Sequence, residues 1–211
     1  MAGMDDFVSA VNDAALAFPE NKLCRRVVAG QIGLPDYHAV LQLLFHITYE
    51  GAAVSALAAA QCPPDREAVR AYLLHQADQV KDHWRWVLND LEATGFTGTD
   101  PRQGFPSPAC QSYIAYNYYV ALRAPVARLA VIAVMNAIAG SFSQNYSAKL
   151  FQILKLKPSQ ASFFFRSSGA DDELMAVIRA TPMDGRDWLW MANAARTAST
   201  LYRAVYDTAM A

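Results

Sequence analysis

The sequence predicts an all-α bundle of seven or eight helices folded as a single domain over residues 1–211. Apolar residues recur at helical spacing almost throughout, and strand-like alternation is nearly absent. The connections are short, with no internal repeat and no low-complexity tract, as in a bundle of packed helices. A chain of 211 residues is also long enough to bury a sizeable core.

The elements follow in order. Asp5 and Asp6 precede a first helix that Pro19 stops, and a second short helix carries Leu23, Val27 and Val28 toward Gly30. Pro35 sits where a first helical turn tolerates it and opens a long helix to about Ala60. Cys62-Pro63-Pro64 breaks that helix, and Asp65 is placed to cap the next, which runs to a stop at Gly95. Residues 95–108 form a loop rich in Gly, Pro, Thr and Ser. Two helices divided by Pro125 come next, then a short one after Pro158, another from about Ala170, and a last long helix from about Asp184 to Met210.

Composition excludes several classes. A formal charge of −1 with 18% charged residues gives no basic field for a nucleic acid. Cys24, Cys62 and Cys110 are odd in number and scattered, which indicates neither a disulfide framework nor a zinc site and suits a reducing cytoplasm. The start, MAGMDDFVSAV, carries acids where a signal peptide needs basic residues. The apolar run Ala124–Phe142 is interrupted by Arg128 and Asn136 and falls short of the roughly 20 residues that cross a bilayer, so it reads as a buried core helix and no membrane partner is expected.

Helical faces indicate which polar residues can share a pocket. Between Asp65 and Gly95 the apolar stripe is Val69, Leu73, Val80, Trp84, Val87 and Leu91, which leaves His75, Asp78, Asp82 and Asn89 on a solvated face. His83 lies at the flank of the stripe with Gln76 one heptad earlier and Tyr72 below. These either look into a cavity or leave the histidine satisfied by a neighbouring group. Gln42, His46, Tyr49 and Glu50 make a polar sector on the helix from Pro35 that lines a pocket or meets water. Asn136, Gly140, Ser143 and Ser147 make a small polar stripe after Pro125, explained either by a pocket or by close packing at Gly140.

Certain of these residues carry a resemblance. Gly30 and Pro35 before Phe45-His46-Ile47-Thr48, His83-Trp84 leading to Asn89-Asp90-Leu91 and Gly95, and Tyr118-Tyr119 before Pro125 are similar to the haem-oxygenase-like superfamily. That group includes thiaminase-II (TenA) enzymes, pyrroloquinoline-quinone synthase and di-iron oxidases. The resemblance implies a haem-oxygenase-like bundle, a homodimer and a site between the central helices. In di-iron members the ligands include an acid seven residues before a histidine, a later glutamate, and a final His-x3-Asp-x2-His run. Here His83 matches the first histidine, Gln76 stands at the acid, Asn136 falls near the glutamate, and the final run reads Ser168, Asp172 and Met175. Only His83 and Asp172 keep a ligand type, and Gln, Asn, Ser and Met do not give ferrous ions the charge or hardness they prefer. Asp172, beside Asp171 and Glu173, is equally a first-turn acid at a helix N-terminus. The helix through Asn136 lacks the cysteine nucleophile of thiaminase II, and Cys110 has no histidine near it in sequence.

The expectation is a metal-independent enzyme of specialised or cofactor metabolism that takes a small organic substrate, free or tethered to a carrier protein. His83 acts as acid/base, Asp172 polarises it, and Gln76, Asn136, Tyr118, His46, Glu50 and Ser168 face the substrate. One alternative is an iron-dependent oxygenase drawing on His46, Glu50, His75 and His83. Another is a non-catalytic binding protein on the same fold. Trp84, Trp86, Trp188 and Trp190 serve either a flat apolar ligand or ordinary core packing, and aromatics on the final helix suit a dimer interface.

Overall fold

A computed structural model describes residues 3–166 and 172–209, and among these every regular element is a helix. Helix α1, Met4–Ala17, buries Phe7, Ala10 and Ala14 and ends at a 3-10 turn through Pro19. Helix α2, Lys22–Ala29, starts where the buried Asn21 accepts the Cys24 backbone N–H at 2.9 Å. It closes at Gly30, whose φ of 69° is the left-handed conformation that glycine adopts without steric cost. Helix α3, Leu34–Gln61, has Pro35 in its first turn, as expected.

The predicted single helix from Asp65 to Gly95 is instead two, α4 over Glu67–Val80 and α5 over His83–Ala93. The break at Lys81 and Asp82 carries no Gly or Pro, and the apolar stripe continues through it, which is why the sequence reads as unbroken. Asp65 does not cap α4. Pro64–Arg66 forms a 3-10 turn, which places Asp65 inside the turn and Arg66 at the cap position.

Helix α6, Pro108–Arg123, is capped by Ser107 and separated from α7, Arg128–Phe142, by a 3-10 turn at Pro125–Ala127. A π-helical turn, Ser143–Ser147, joins α7 to α8, Ala148–Leu154. The chain continues as α9, Ser162–Arg166, then α10, Asp172–Ala180, and α11, Gly185–Ala209. The described residues thus hold eleven α-helical segments where seven or eight were expected. The extra segments include α5, which follows the break after α4, and the short helix α8 beyond the π-turn.

The central helix α3 packs on α4, α5 and α6, while α11 packs on α1, α6 and α7. Leu41, Leu44, Leu73, Leu129 and Met191 meet in the core between them, each removing apolar surface from water. By length and composition both α3 and the Pro125–Phe142 segment could cross a membrane. The second is the core helix the sequence suggested, with 61% of its apolar window buried, against 33% for α3.

One buried carboxylate fixes the far side of the bundle. Asp90 of α5 accepts from the Ser162 backbone N–H at 2.8 Å, the Ser162 hydroxyl at 2.6 Å and the Phe163 N–H at 2.9 Å. It thereby caps α9 from a different helix, where an anion complements the exposed N–H groups and the helix dipole. The Gln160 amide donates to Ala93 O at 2.9 Å and the Tyr37 hydroxyl donates to Gln160 O at 2.9 Å, pinning the same segment to α5 and α3.

Candidate functional site

A cavity of about 220 Å3 lies between α3, α4, α5, α6, α7 and α11, with Phe163 and Phe164 from the segment pinned by Asp90 in its wall. Most of its surface is apolar, from residues such as Ile47, Val54, Ile132 and Phe142. Four of the expected site residues line it: Gln76, His83, Glu50 and Asn136. Gln76 comes from the last turn of α4 and His83 from the first residue of α5, so the helix break lies between two cavity residues.

His83 is half-buried, and its ring stacks on Trp86 with centroids 4.3 Å apart and planes 27° from parallel. Burial pushes its pKa below the usual imidazole value, and the Asp82 carboxylate offsets this only in part. The ring is therefore neutral at neutral pH, a state suited to accepting a proton. Tyr118 does not line the cavity. It acts on Glu50, donating its phenolic O–H to Oε2 at 2.5 Å, and its own pKa is pushed up to about 12 by burial and then by that carboxylate. Tyr118 thus remains a donor, and Glu50 is held as an acceptor at the cavity edge.

The remaining predicted residues lie elsewhere. His46 is half-buried outside the lining and packs edge-on against Phe45, at 5.3 Å and 75°. Burial lowers its pKa, with Glu50 opposing. Asp172 is an exposed first-turn residue of α10 and does not line the cavity, which is its helix-terminus reading rather than its catalytic one. Ser168 lies outside the described residues. Gly140 is not a close-packing point, because a Cβ built there meets nothing within 4 Å. Asn136 and Ser147 of the same polar stripe do line the cavity. Cys110 is buried, donates to Leu43 O at 3.7 Å and has its thiol pKa pushed up to about 12 by burial, so it is not a poised nucleophile.

Among the cavity residues that sequence reasoning missed are Ser55, Asn117 and Arg128. In the sequence Arg128 stands only as an interruption of an apolar run. An arginine within a core helix is itself a signal, because that side chain is rarely buried without a partner. Here it is 8% exposed, and its Nη1 donates to Asn117 Oδ1.

The fold is shared with solved structures along nearly the whole chain. A domain of unknown function with a haem oxygenase-like fold from Shewanella denitrificans superposes with a TM-score of 0.89 at 19% identity, covering 100% of this chain and 93% of that one. A TenA homologue from Pseudomonas syringae gives 0.77 at 10% identity, over 98% and 91% of the two chains. Haem oxygenase-1 from the cyanobacterium Synechocystis, solved in complex with haem, gives 0.67 at 15% identity, over 97% and 90%. The protein has the haem-oxygenase-like fold. No family model matches the sequence, and no curated protein does.

The residues present do not suit the di-iron centre that the sequence resemblance raises as an alternative. The cavity lining offers one carboxylate, Glu50, and one imidazole, His83, beside the carboxamides of Gln76, Asn117 and Asn136. Among the described residues no three His, Cys, Asp or Glu side chains come together as a metal-holding group. A ferrous pair needs several anionic oxygen donors, which this lining does not provide.

Proposed function

We propose that the cavity holds a small organic substrate and that His83 moves a proton to and from it without a metal ion. The observation that carries this reading is the meeting of His83, Gln76, Glu50 and Asn136 on one cavity whose remaining walls are mainly apolar. A neutral imidazole accepts a proton from a carbon or heteroatom of the substrate and returns it, so each cycle ends with the histidine as it began. The carboxamides of Gln76 and Asn136 each offer donors and an acceptor to orient the substrate. Tyr118 is a positioning residue, acting through its bond to Glu50. Asp172 and His46 have no part in this reading. The homodimer expected from the resemblance belongs to the same proposal. The exposed Tyr119 and Leu122 of α6 and Leu189 of α11 supply apolar surface for it.

The test is deuterium incorporation, followed by NMR in deuterated buffer with a chelator, across a panel of small carbonyl compounds. The wild-type protein is expected to label a bound compound, and His83→Gln to slow labelling by about 10²–10⁴-fold. Labelling that requires added iron, or that His83→Gln leaves unchanged, contradicts the proposal.

A further inference from the structure

We propose that Arg128 is the recognition point for the carboxylate of a small, otherwise apolar acid bound in this cavity. The inference rests on reading the cavity as a ligand site, but not on the chemistry assigned to His83.

Arg128 is placed where a cation is costly. It is more than nine-tenths buried, makes no ion pair with any described residue, and gives Nη1 only to the neutral carboxamide of Asn117, while its Nε has no hydrogen-bond partner. It is also the first residue of α7, the positive end of that helix dipole, where an anion is favoured and a cation opposed. Its neighbour Tyr113 does not compensate, because burial raises the phenol's pKa and keeps it uncharged. A buried guanidinium of this kind is strongly unfavourable until an anion meets it. A second unsatisfied group lines the same cavity: the Ser55 hydroxyl, in a residue 1% exposed, also lacks a partner. Both residues line the cavity and each has a donor without an acceptor, and an acceptor-only group such as a carboxylate is what complements donors of this kind.

Size and charge narrow the ligand. A cavity of about 220 Å3 exceeds the roughly 150 Å3 that holds benzene and falls below the roughly 300–1,000 Å3 that hold drug-sized ligands. That range suits a ring with a short side chain. Among the described residues Arg128 is the one Arg or Lys in the lining, so a monoanion fits better than a dianion. Arg128 and Asn136 are eight residues apart on α7, about 12 Å along its axis at about 1.5 Å per residue, so an acid anchored at Arg128 extends its body toward the Asn136 end.

The test is calorimetric titration with phenylacetate and 3-phenylpropionate, their neutral amides, acetate and inorganic phosphate, using wild type, Arg128→Met and Arg128→Lys. The aryl acids are expected to bind the wild type in preference to the amides, acetate and phosphate. Arg128→Met should weaken the acids by roughly 30-fold or more while sparing the amides, and Arg128→Lys should fall between. Without ligand, Arg128→Met is expected to melt no lower than wild type, since it removes an uncompensated buried charge. Acids and amides binding equally, or acids unaffected by Arg128→Met, would overturn the role of Arg128 and leave the cavity reading standing. Acetate or phosphate binding as tightly as the aryl acids would overturn the apolar half of the proposal. Binding of none of these compounds would count against the cavity as a ligand site.

Discussion

At the scale of single residues, His83 and Arg128 show how differently two polar groups of one cavity announce themselves. His83 was legible because it stands at the edge of an apolar stripe, one heptad after Gln76, and that spacing survives the break between α4 and α5. Arg128 was not, because a lone charge in an apolar run reads as an interruption until its burial is known. Asp172 was assigned through resemblance alone, and its exposure at the start of α10 returns it to the ordinary role of a first-turn acid. The lowered pKa of His83 gives a prediction at this scale. If proton transfer uses the neutral ring, the acidic limb of the rate–pH profile lies below the ordinary imidazole value of about 6.5, and activity is flat from there through neutrality. A limb above that value contradicts the assignment.

At the scale of elements, the cavity depends on a short segment that the sequence indicates only faintly. Phe163 and Phe164 reach the cavity wall from α9, a helix too short to persist on its own propensity. Asp90 holds it through three hydrogen bonds across more than 70 residues of chain. No local pattern encodes such a long-range cap, whereas Pro35, Gly30 and Pro125 mark their boundaries directly. Asp90→Ala is expected to cost about 3 kcal/mol and to lower Tm by roughly 6–12 °C, because buried donors lose a charged acceptor. Calorimetry of the variant checks this, and a shift under about 2 °C would show that α9 is held by its apolar contacts instead.

At the scale of the whole molecule, hydrophobic periodicity carried the fold class, and the helical packing follows from it. Three of the four histidines, His38, His46 and His83, have pKa values lowered chiefly by burial. Between those folded values and the unfolded value of about 6.5 the unfolded chain binds more protons than the native one. Stability therefore rises with pH across that window and is lost as pH falls below about 6.5. Thermal melts between about pH 7.5 and 5.5 are expected to show this decline, with a shallower slope in His83→Gln; a flat or inverted trend contradicts it.

The central proposal is a small-molecule site that needs no metal, in a cavity whose lining offers, among the described residues, only Glu50 and His83 as carboxylate and imidazole. It is tested most directly by loading the protein anaerobically with ferrous iron, desalting, and measuring metal content beside His83→Ala. Neither protein is expected to retain iron in stoichiometric amount. Near-stoichiometric iron in the wild type, removed by the substitution, would contradict it and identify a redox centre built on an unusual ligand set.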